Sequence, residues 1–300
     1  MSRHTLTAAQ TAAGGLSAAA VDDIRLGDGP YDLIVLPELA NVPYFPVAPA
    51  LHEWLGGVLT GQDDDSVLAP YRRLARRAGG YVVVGVCLPG PGRSRNAAVV
   101  LDRAGEILPG RGVQSGDEIL VYDKTHLCDV RHYGSIFLES EYFHAGPELV
   151  VWDLDFARLG VLICYDRHFP EAWSTLRAGG AEIVAVPTAS PVGTAPTFLA
   201  EMQAMALQQS VYTVIANRVG PERLPDGRLT EYLGRSAVLG PDGGVLSVAD
   251  ERAFALACAP YDHLILDSVR EAMGLTASRR SALYQISPDS SSRSARETSR

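Results

Sequence analysis

The 300-residue chain is 47% hydrophobic and 20% charged, with a formal net charge of −9. These values describe a soluble globular protein with enough chain for one large core or two modest ones. The acidic balance argues against nucleic acid as a partner, because phosphate binding needs a basic face, and no apolar run approaches the roughly 18 residues of a membrane helix.

In chain order, MSRHTLTAAQTAAGG lacks the continuous apolar core of a signal peptide. YDLIVLP (31–37) predicts a buried strand. DSVLAPYRRLARRAG (65–79) places Val67, Leu68, Tyr71, Leu74 and Ala75 on one helical face, behind a solvated acidic start at 63–65. YVVVGVCL (81–88) and NAAVVLD (96–102) predict strands that follow one another directly, and ARLGVLICY (157–165) a further one. PEAWSTLRAGG opens with proline and ends in glycines, the start and stop signals of a helix. AEIVAVPT (181–188) is again strand-like. PTFLAEMQAMALQQS predicts a helix carrying Phe198, Met202, Met205 and Leu207. VYTVIANR (211–218), RSAVLGP (235–241) and AFALACAP (253–260) close the series, with LGPDGG as a hairpin-type turn. These runs are rich in Val, Ile and Ala, as strands covered on both faces should be. Strand–helix alternation gives an α/β class, and the directly linked strands predict a mixed sheet. A single domain over 1–286 is expected, with the polar SPDSSSRSARETSR (287–300) as a disordered tail.

Cys164 stands where a buried apolar run meets a polar one, between a strand and a helix that starts near Pro170. Such a turn exposes the side chain and aims backbone N–H groups at the same space, which suits a nucleophile whose product is an oxyanion. A free thiol, with a pKa of about 8.5, needs a base and a cation. Glu38 follows the run 31–37 and Pro37, where a partly desolvated carboxylate is a usable proton acceptor. Lys124 follows a short apolar run, and in a closed site a lysine stabilises a tetrahedral oxyanion. Taken singly, each has a plain alternative: a core thiol, an acid at the end of a strand, a surface cation.

Together, LPE, DKTHL and CYD in this order resemble the nitrilase superfamily of carbon–nitrogen hydrolases. LESEYFHAGPEL, ANRVG, YLGRSAVLGPDG and RRSALY resemble further segments of that family, so the likeness runs from about residue 30 to 284. The stretch before Glu38, QTAAGGLSAAAVDD, departs from it, because the family has a longer first helix there. The resemblance implies a four-layer αββα sandwich with mixed sheets and a Glu38–Lys124–Cys164 triad. It also implies a second glutamate, Glu139, holding Lys124, and a homodimer or larger even-numbered assembly. It implies hydrolysis of a non-peptide C–N bond through a cysteine thioester, without cofactor or metal. The backbone N–H of Tyr165 joins Lys124 at the oxyanion. Nitrile-cleaving members carry tryptophan and glutamate after the cysteine. Tyr165 and Asp166 here resemble the amidase and carbamoylase branches, and imply a small-molecule amide or carbamoyl substrate.

Arg167 occupies the place of an arginine that grips the substrate carboxylate in the N-carbamoyl amino acid branch, whereas the omega-amidase-like branch has its arginine at the place of His168. The alternative for Arg167 is a surface residue capping Asp166 or Glu171. Tyr44 and Thr188 complete the candidate substrate-binding set with Tyr165, Arg167 and His168. Asp166 is read as structural, and His126 as a support of the active-site loop. His126, Cys128, Asp129, His132 and His144 are close in sequence but match no ordinary zinc spacing. No complete phosphate-binding glycine loop is present, so a nucleotide cofactor has no support. Cys87, Cys128, Cys164 and Cys258 form no CxxC pair and read as free thiols of a reducing cytoplasm. Omega-amidase activity, acyl transfer and an inactive scaffold remain as alternatives.

Overall fold

A computed structural model describes residues 4–132 and 135–284. Among these residues two eight-stranded mixed sheets form the centre of the fold. In the first, His4–Ala12 pairs in parallel with Leu33–Val35 and antiparallel with Ala255–Tyr261. Leu33–Val35 runs parallel to Tyr81–Leu88, and Arg95–Leu101 follows antiparallel. In the second sheet Arg158–Val161, Ile183–Pro187 and Tyr212–Ala216 run parallel, flanked by antiparallel Val150–Asp153 and Ala237–Leu239.

The inner faces share one apolar core. Leu6, Leu33, Val35, Val83 and Val100 of the first sheet are buried in the same cluster as Val161, Ile183 and Val214 of the second. Each such side chain contributes about 1.5–3 kcal/mol by leaving water. On the outer face of the first sheet, helix Asp64–Ala78 places Val67, Leu68, Tyr71 and Leu74 against Ile34, Val82, Val84 and Val99. Asp63 caps this helix by accepting from Ser66 N at 2.8 Å. Helices Pro170–Ala178 and Phe198–Gln209 cover the second sheet with Trp173, Leu176, Phe198, Met202 and Ala206. The layers are therefore helix, sheet, sheet, helix.

The apolar runs from 31 onwards all contain strands of the sheets. The strand His4–Ala12 does not show as such a run, because it is buried with small and polar residues: Ala8, Ala9, Thr7, Gln10 and Thr11. The helix after it is five residues long, Ala18–Asp22. Trp173, Leu176, Phe198, Met202 and Ala206 of these two helices pack in the chain's own core, whereas Ala204 is exposed and Met205 and Leu207 are half-buried. The expected polar tail, 287–300, lies outside the described residues.

Candidate active site

Glu38 follows directly on Leu33–Val35 and Pro37, and Gly85 on the neighbouring strand makes room for it. A Cβ on Gly85 would stand 2.7 Å from the Cα of Glu38. The next residue, Leu39, has φ +48°, a left-handed conformation that a branched side chain rarely adopts. A buried arginine holds this bend. Arg218 Nη2 donates to the backbone oxygens of Glu38 (2.9 Å), Val42 (2.8 Å) and Leu39. Its Nη1 pairs with Glu222 at 2.9 Å, and Glu222 also accepts from Tyr232 Oη (2.9 Å) and Tyr44 N (3.0 Å).

Lys124 follows the short strand Tyr122–Asp123. Its own N–H donates to Asn96 O at 2.9 Å and its carbonyl accepts from Gly146 N at 2.8 Å. A Cβ on Gly146 would collide with Asp123 O at 2.1 Å, so glycine is required to close this loop. Lys124 Nζ lies 2.8 Å from Glu38 Oε1 and 2.7 Å from Glu139 Oε1. Glu139, at the start of helix Glu139–Tyr142, also accepts from Tyr44 Oη (2.6 Å) and Cys128 N (2.8 Å). Glu38, Lys124 and Glu139 are wholly buried.

Cys164 opens a 3₁₀ turn, Cys164–His168, separated from the strand Arg158–Val161 by Leu162 and Ile163. Its φ is +46°. Thr188 Oγ1 donates to its Sγ at 3.1 Å, and Arg167 Nη1 lies 3.6 Å from the same sulfur. Asp166 is buried beneath the turn. It accepts from Tyr122 Oη (2.8 Å), Thr125 Oγ1 (2.8 Å), His126 N (2.8 Å) and Ile163 N (3.0 Å). One carboxylate thereby ties the segment after Lys124 to the turn of Cys164. The ring of His126 stacks on Phe169 at 3.8 Å.

Charge is unevenly matched in this buried cluster, where Lys124 faces the two carboxylates of Glu38 and Glu139. Burial lifts the carboxyl of Glu139 to about 7, with Glu38 reinforcing the shift and Lys124 opposing it. Burial works against the charge of Lys124, yet Glu139 and Glu38 hold it well above the ordinary lysine range. Burial, aided by Glu38, raises the thiol of Cys164, against the pull of Lys124, Arg167 and the Thr188 hydroxyl. The resting form is therefore a thiol, which needs a base to become a nucleophile.

Cys164 opens onto a cavity of about 540 Å³, the size of a small-molecule site. Tyr44, Tyr165, Arg167 and His168 line it with Cys128, Val130, Phe137, Ala189 and Pro191. The hydroxyl of Tyr44 is committed to Glu139, and that of Thr188 bridges Cys164 and Ser190 Oγ (2.8 Å). Arg167 is not a surface arginine. It is 3% exposed, donates from Nη1 to Cys164 O at 3.0 Å, and pairs through Nε with Glu201 Oε2 at 3.3 Å. His168 Nδ1 meets the other oxygen of Glu201 at 2.5 Å. Among the described residues, no group of three His, Cys, Asp or Glu is placed to hold a metal, and the side chain of His132 lies outside them.

Arg218, Glu222, Asn96 and Glu201 were not singled out from sequence. Arg218 had a signal, a charged residue directly after a buried run, within ANRVG. Glu201 resembled an ordinary acid in the first turn of a helix.

The helix–sheet–sheet–helix sandwich is the fold expected of the nitrilase type. Residues 7–264 match the carbon-nitrogen hydrolase family model, and the chain belongs to that family. It is 32% identical to N-carbamoylputrescine amidase of Arabidopsis thaliana over 185 residues, 57% of this chain and 60% of that protein. It is 31% identical to a nitrilase of Pyrococcus abyssi over 79% of each chain. A third relative, the chloroplastic omega-amidase of Arabidopsis thaliana, is 29% identical over 85% of this chain and 65% of its own length. The chain thus spans less than two thirds of either plant relative. Among solved structures, a carbon-nitrogen hydrolase of Helicobacter pylori superposes with a TM-score of 0.80 at 22% identity, covering 94% of this chain and 97% of that one. The amidase of Nesterenkonia sp. AN1, solved with acrylamide, gives 0.72 at 22% identity, covering 94% and 95%. At these identities the structures show the fold. Among the described residues no helix is long and apolar enough to cross a membrane.

Proposed function

We propose that the protein hydrolyses a linear amide or carbamoyl compound through a thioester on Cys164, without a cofactor. The observation that carries this reading is the buried ammonium of Lys124, held between Glu38 and Glu139, together with Cys164 opening onto a cavity also lined by Tyr44, which donates to Glu139. Glu38 takes the proton of the thiol, and the thiolate attacks the substrate carbonyl. Lys124 and the N–H of Tyr165 stabilise the tetrahedral oxyanion. Collapse breaks the C–N bond, and Glu38 returns the proton to the departing nitrogen. Glu38 then takes a proton from water, the resulting hydroxide adds to the thioester carbonyl, the C–S bond breaks to free the acid, and Glu38 returns the proton to the Cys164 sulfur. Glu139 fixes Lys124 and is in turn fixed by Tyr44.

The proposed substrates are N-carbamoyl amino acids or small amides, with Arg167 as the contact for a substrate carboxylate. Glu201 already lies on that guanidinium, so an incoming carboxylate must share or displace it. Omega-amidase activity is the second reading, supported by a match over most of this chain. A panel of carbamoyl amino acids, N-carbamoyl diamines and simple amides, scored by ammonia release, tests both. Release from none of them contradicts the proposal, and faster capture of the acyl group by an added amine than by water turns it towards acyl transfer. A homodimer in a reducing cytoplasm is proposed with it, the latter supported by four unpaired cysteines.

A further inference from the structure

Glu38 has two oxygens in unlike surroundings. Oε1 accepts from Lys124 Nζ at 2.8 Å and from Asn96 Nδ2 at 2.8 Å. Oε2 is buried and has no hydrogen-bond partner among the described residues. Asn96 is itself 2% exposed, and its Oδ1 is a second buried atom without a partner. An unmet buried acceptor is unfavourable, so the amide sits in an orientation that serves its neighbour. A carboxylate oxygen only accepts, and turning the amide over would set Oδ1 against Oε1. The same residue reaches Lys124 from the other side, because Asn96 O accepts the Lys124 N–H at 2.9 Å. Asn96 thus fixes the backbone of one candidate catalytic residue and the carboxylate of another.

We infer that Asn96 is a positioning residue that divides the work of Glu38, with Oε1 anchored by Asn96 and Lys124 and Oε2 carrying the proton. This rests on the proposed role of Glu38 as base. Two donors on Oε1 leave no room for a third hydrogen there. When the S–H bond of Cys164 breaks, the proton forms its new bond to Oε2. It leaves from Oε2 when the N–H bond of the departing amine forms. Asn96 touches neither substrate nor sulfur in this scheme and acts only through Glu38.

The test needs no knowledge of the natural substrate. Cys164 of the whole chain is alkylated with iodoacetamide across pH, and the rate is read at the peptide containing Cys164. Asn96→Leu keeps the volume, removes the donor and also removes the orphaned Oδ1. The expected result is a loss of about tenfold or more in rate near neutral pH, the scale of a lost hydrogen bond to a charged group. The rate profile should also move to higher pH, because without an anchored proton acceptor the sulfur reacts only to the extent that it ionises by itself. The other ionisable groups around Glu38 are Lys124, Glu139, Cys164, Tyr44, Tyr232 and Arg218, and the variant leaves all of them in place. With any amide that is turned over, kcat should fall while KM stays within about twofold. Asn96→Ser, which keeps a hydroxyl donor, should retain more activity than Asn96→Leu, and serves alone if the leucine variant does not fold. An unchanged rate profile in a folded variant overturns the inference. So does a loss that appears only as a lowered melting temperature. If wild-type Cys164 is no more reactive than Cys87, the base reading itself fails, and the inference falls with it.

Discussion

Arg167 Nη1 donates to the carbonyl oxygen of Cys164 at 3.0 Å, from three residues further along the same turn. The bond closes a backbone that Cys164 holds at φ +46°, a conformation that is unfavourable for any residue with a Cβ. Glu201 steadies the guanidinium from helix Phe198–Gln209. The arginine therefore faces two ways, towards the backbone of Cys164 and towards the cavity.

These two directions separate kinetically. Arg167→Lys removes the planar fork and is expected to lower kcat on every substrate, through the turn of Cys164. It should also raise KM by about tenfold or more for substrates bearing a carboxylate, as the loss of a bidentate charged contact does. Glu201→Gln should lower KM for those same substrates and spare neutral amides. Equal effects on charged and neutral substrates in both variants would remove Arg167 as the carboxylate contact.

The buried cluster should show in the pH dependence of stability. Burial raises the carboxyl of Glu139 from its ordinary value to about 7. Between those two values the folded state binds more protons than the unfolded one, so this group makes stability fall as pH rises. Glu139→Gln removes that slope. The melting temperature of Glu139→Gln minus that of wild type is expected to increase from pH 5 to pH 7. A constant difference across this range would contradict the account of the cluster.

Arg218 tests how the bend at Glu38 is held. Arg218→Lys keeps the charge near Glu222 but cannot reach the backbone oxygens of Glu38, Leu39 and Val42 together. Breaking a buried ion-paired network by losing one partner costs about 3–5 kcal/mol, and the milder lysine change should cost part of that. Activity should fall further than stability explains, because Glu38 sits on the released bend. A variant of wild-type melting temperature and wild-type kcat would show that the bend holds itself.

Assembly is open to a direct reading. Light scattering at micromolar concentration is expected to give a dimer or a larger even-numbered species. Leu246, Val248, Leu264 and Ile265 are exposed apolar residues. A clean monomer would contradict the proposal.

Much of this candidate site was legible because Glu38, Lys124 and Cys164 stand at the ends of buried apolar runs. Glu38 closes the run 31–37, Lys124 follows a short run, and Cys164 closes the run 157–165. A charged or reactive side chain at such an edge has few places to point. The strand His4–Ala12 was hidden because Thr and Ala leave no apolar run, although both faces are buried. Asn96 and Glu201 were hidden for another reason. Each acts through one atom of a neighbour distant in sequence, 58 residues from Glu38 for the first and 34 from Arg167 for the second, and no local pattern marks such a pairing. The role of Arg218 lies in backbone carbonyls 176 to 180 residues away, which composition and periodicity do not register.

The central claim is an acyl group carried on Cys164. The most direct measurement is intact-mass spectrometry after rapid acid quench of enzyme mixed with propionamide and, separately, N-carbamoylglycine. The account predicts a mass increase equal to the acyl group on the peptide containing Cys164, reversed by hydroxylamine, absent from Cys164→Ala and greatly slowed in Glu38→Gln. Turnover by Cys164→Ala would contradict it, as would acylation of Glu38→Gln at the wild-type rate.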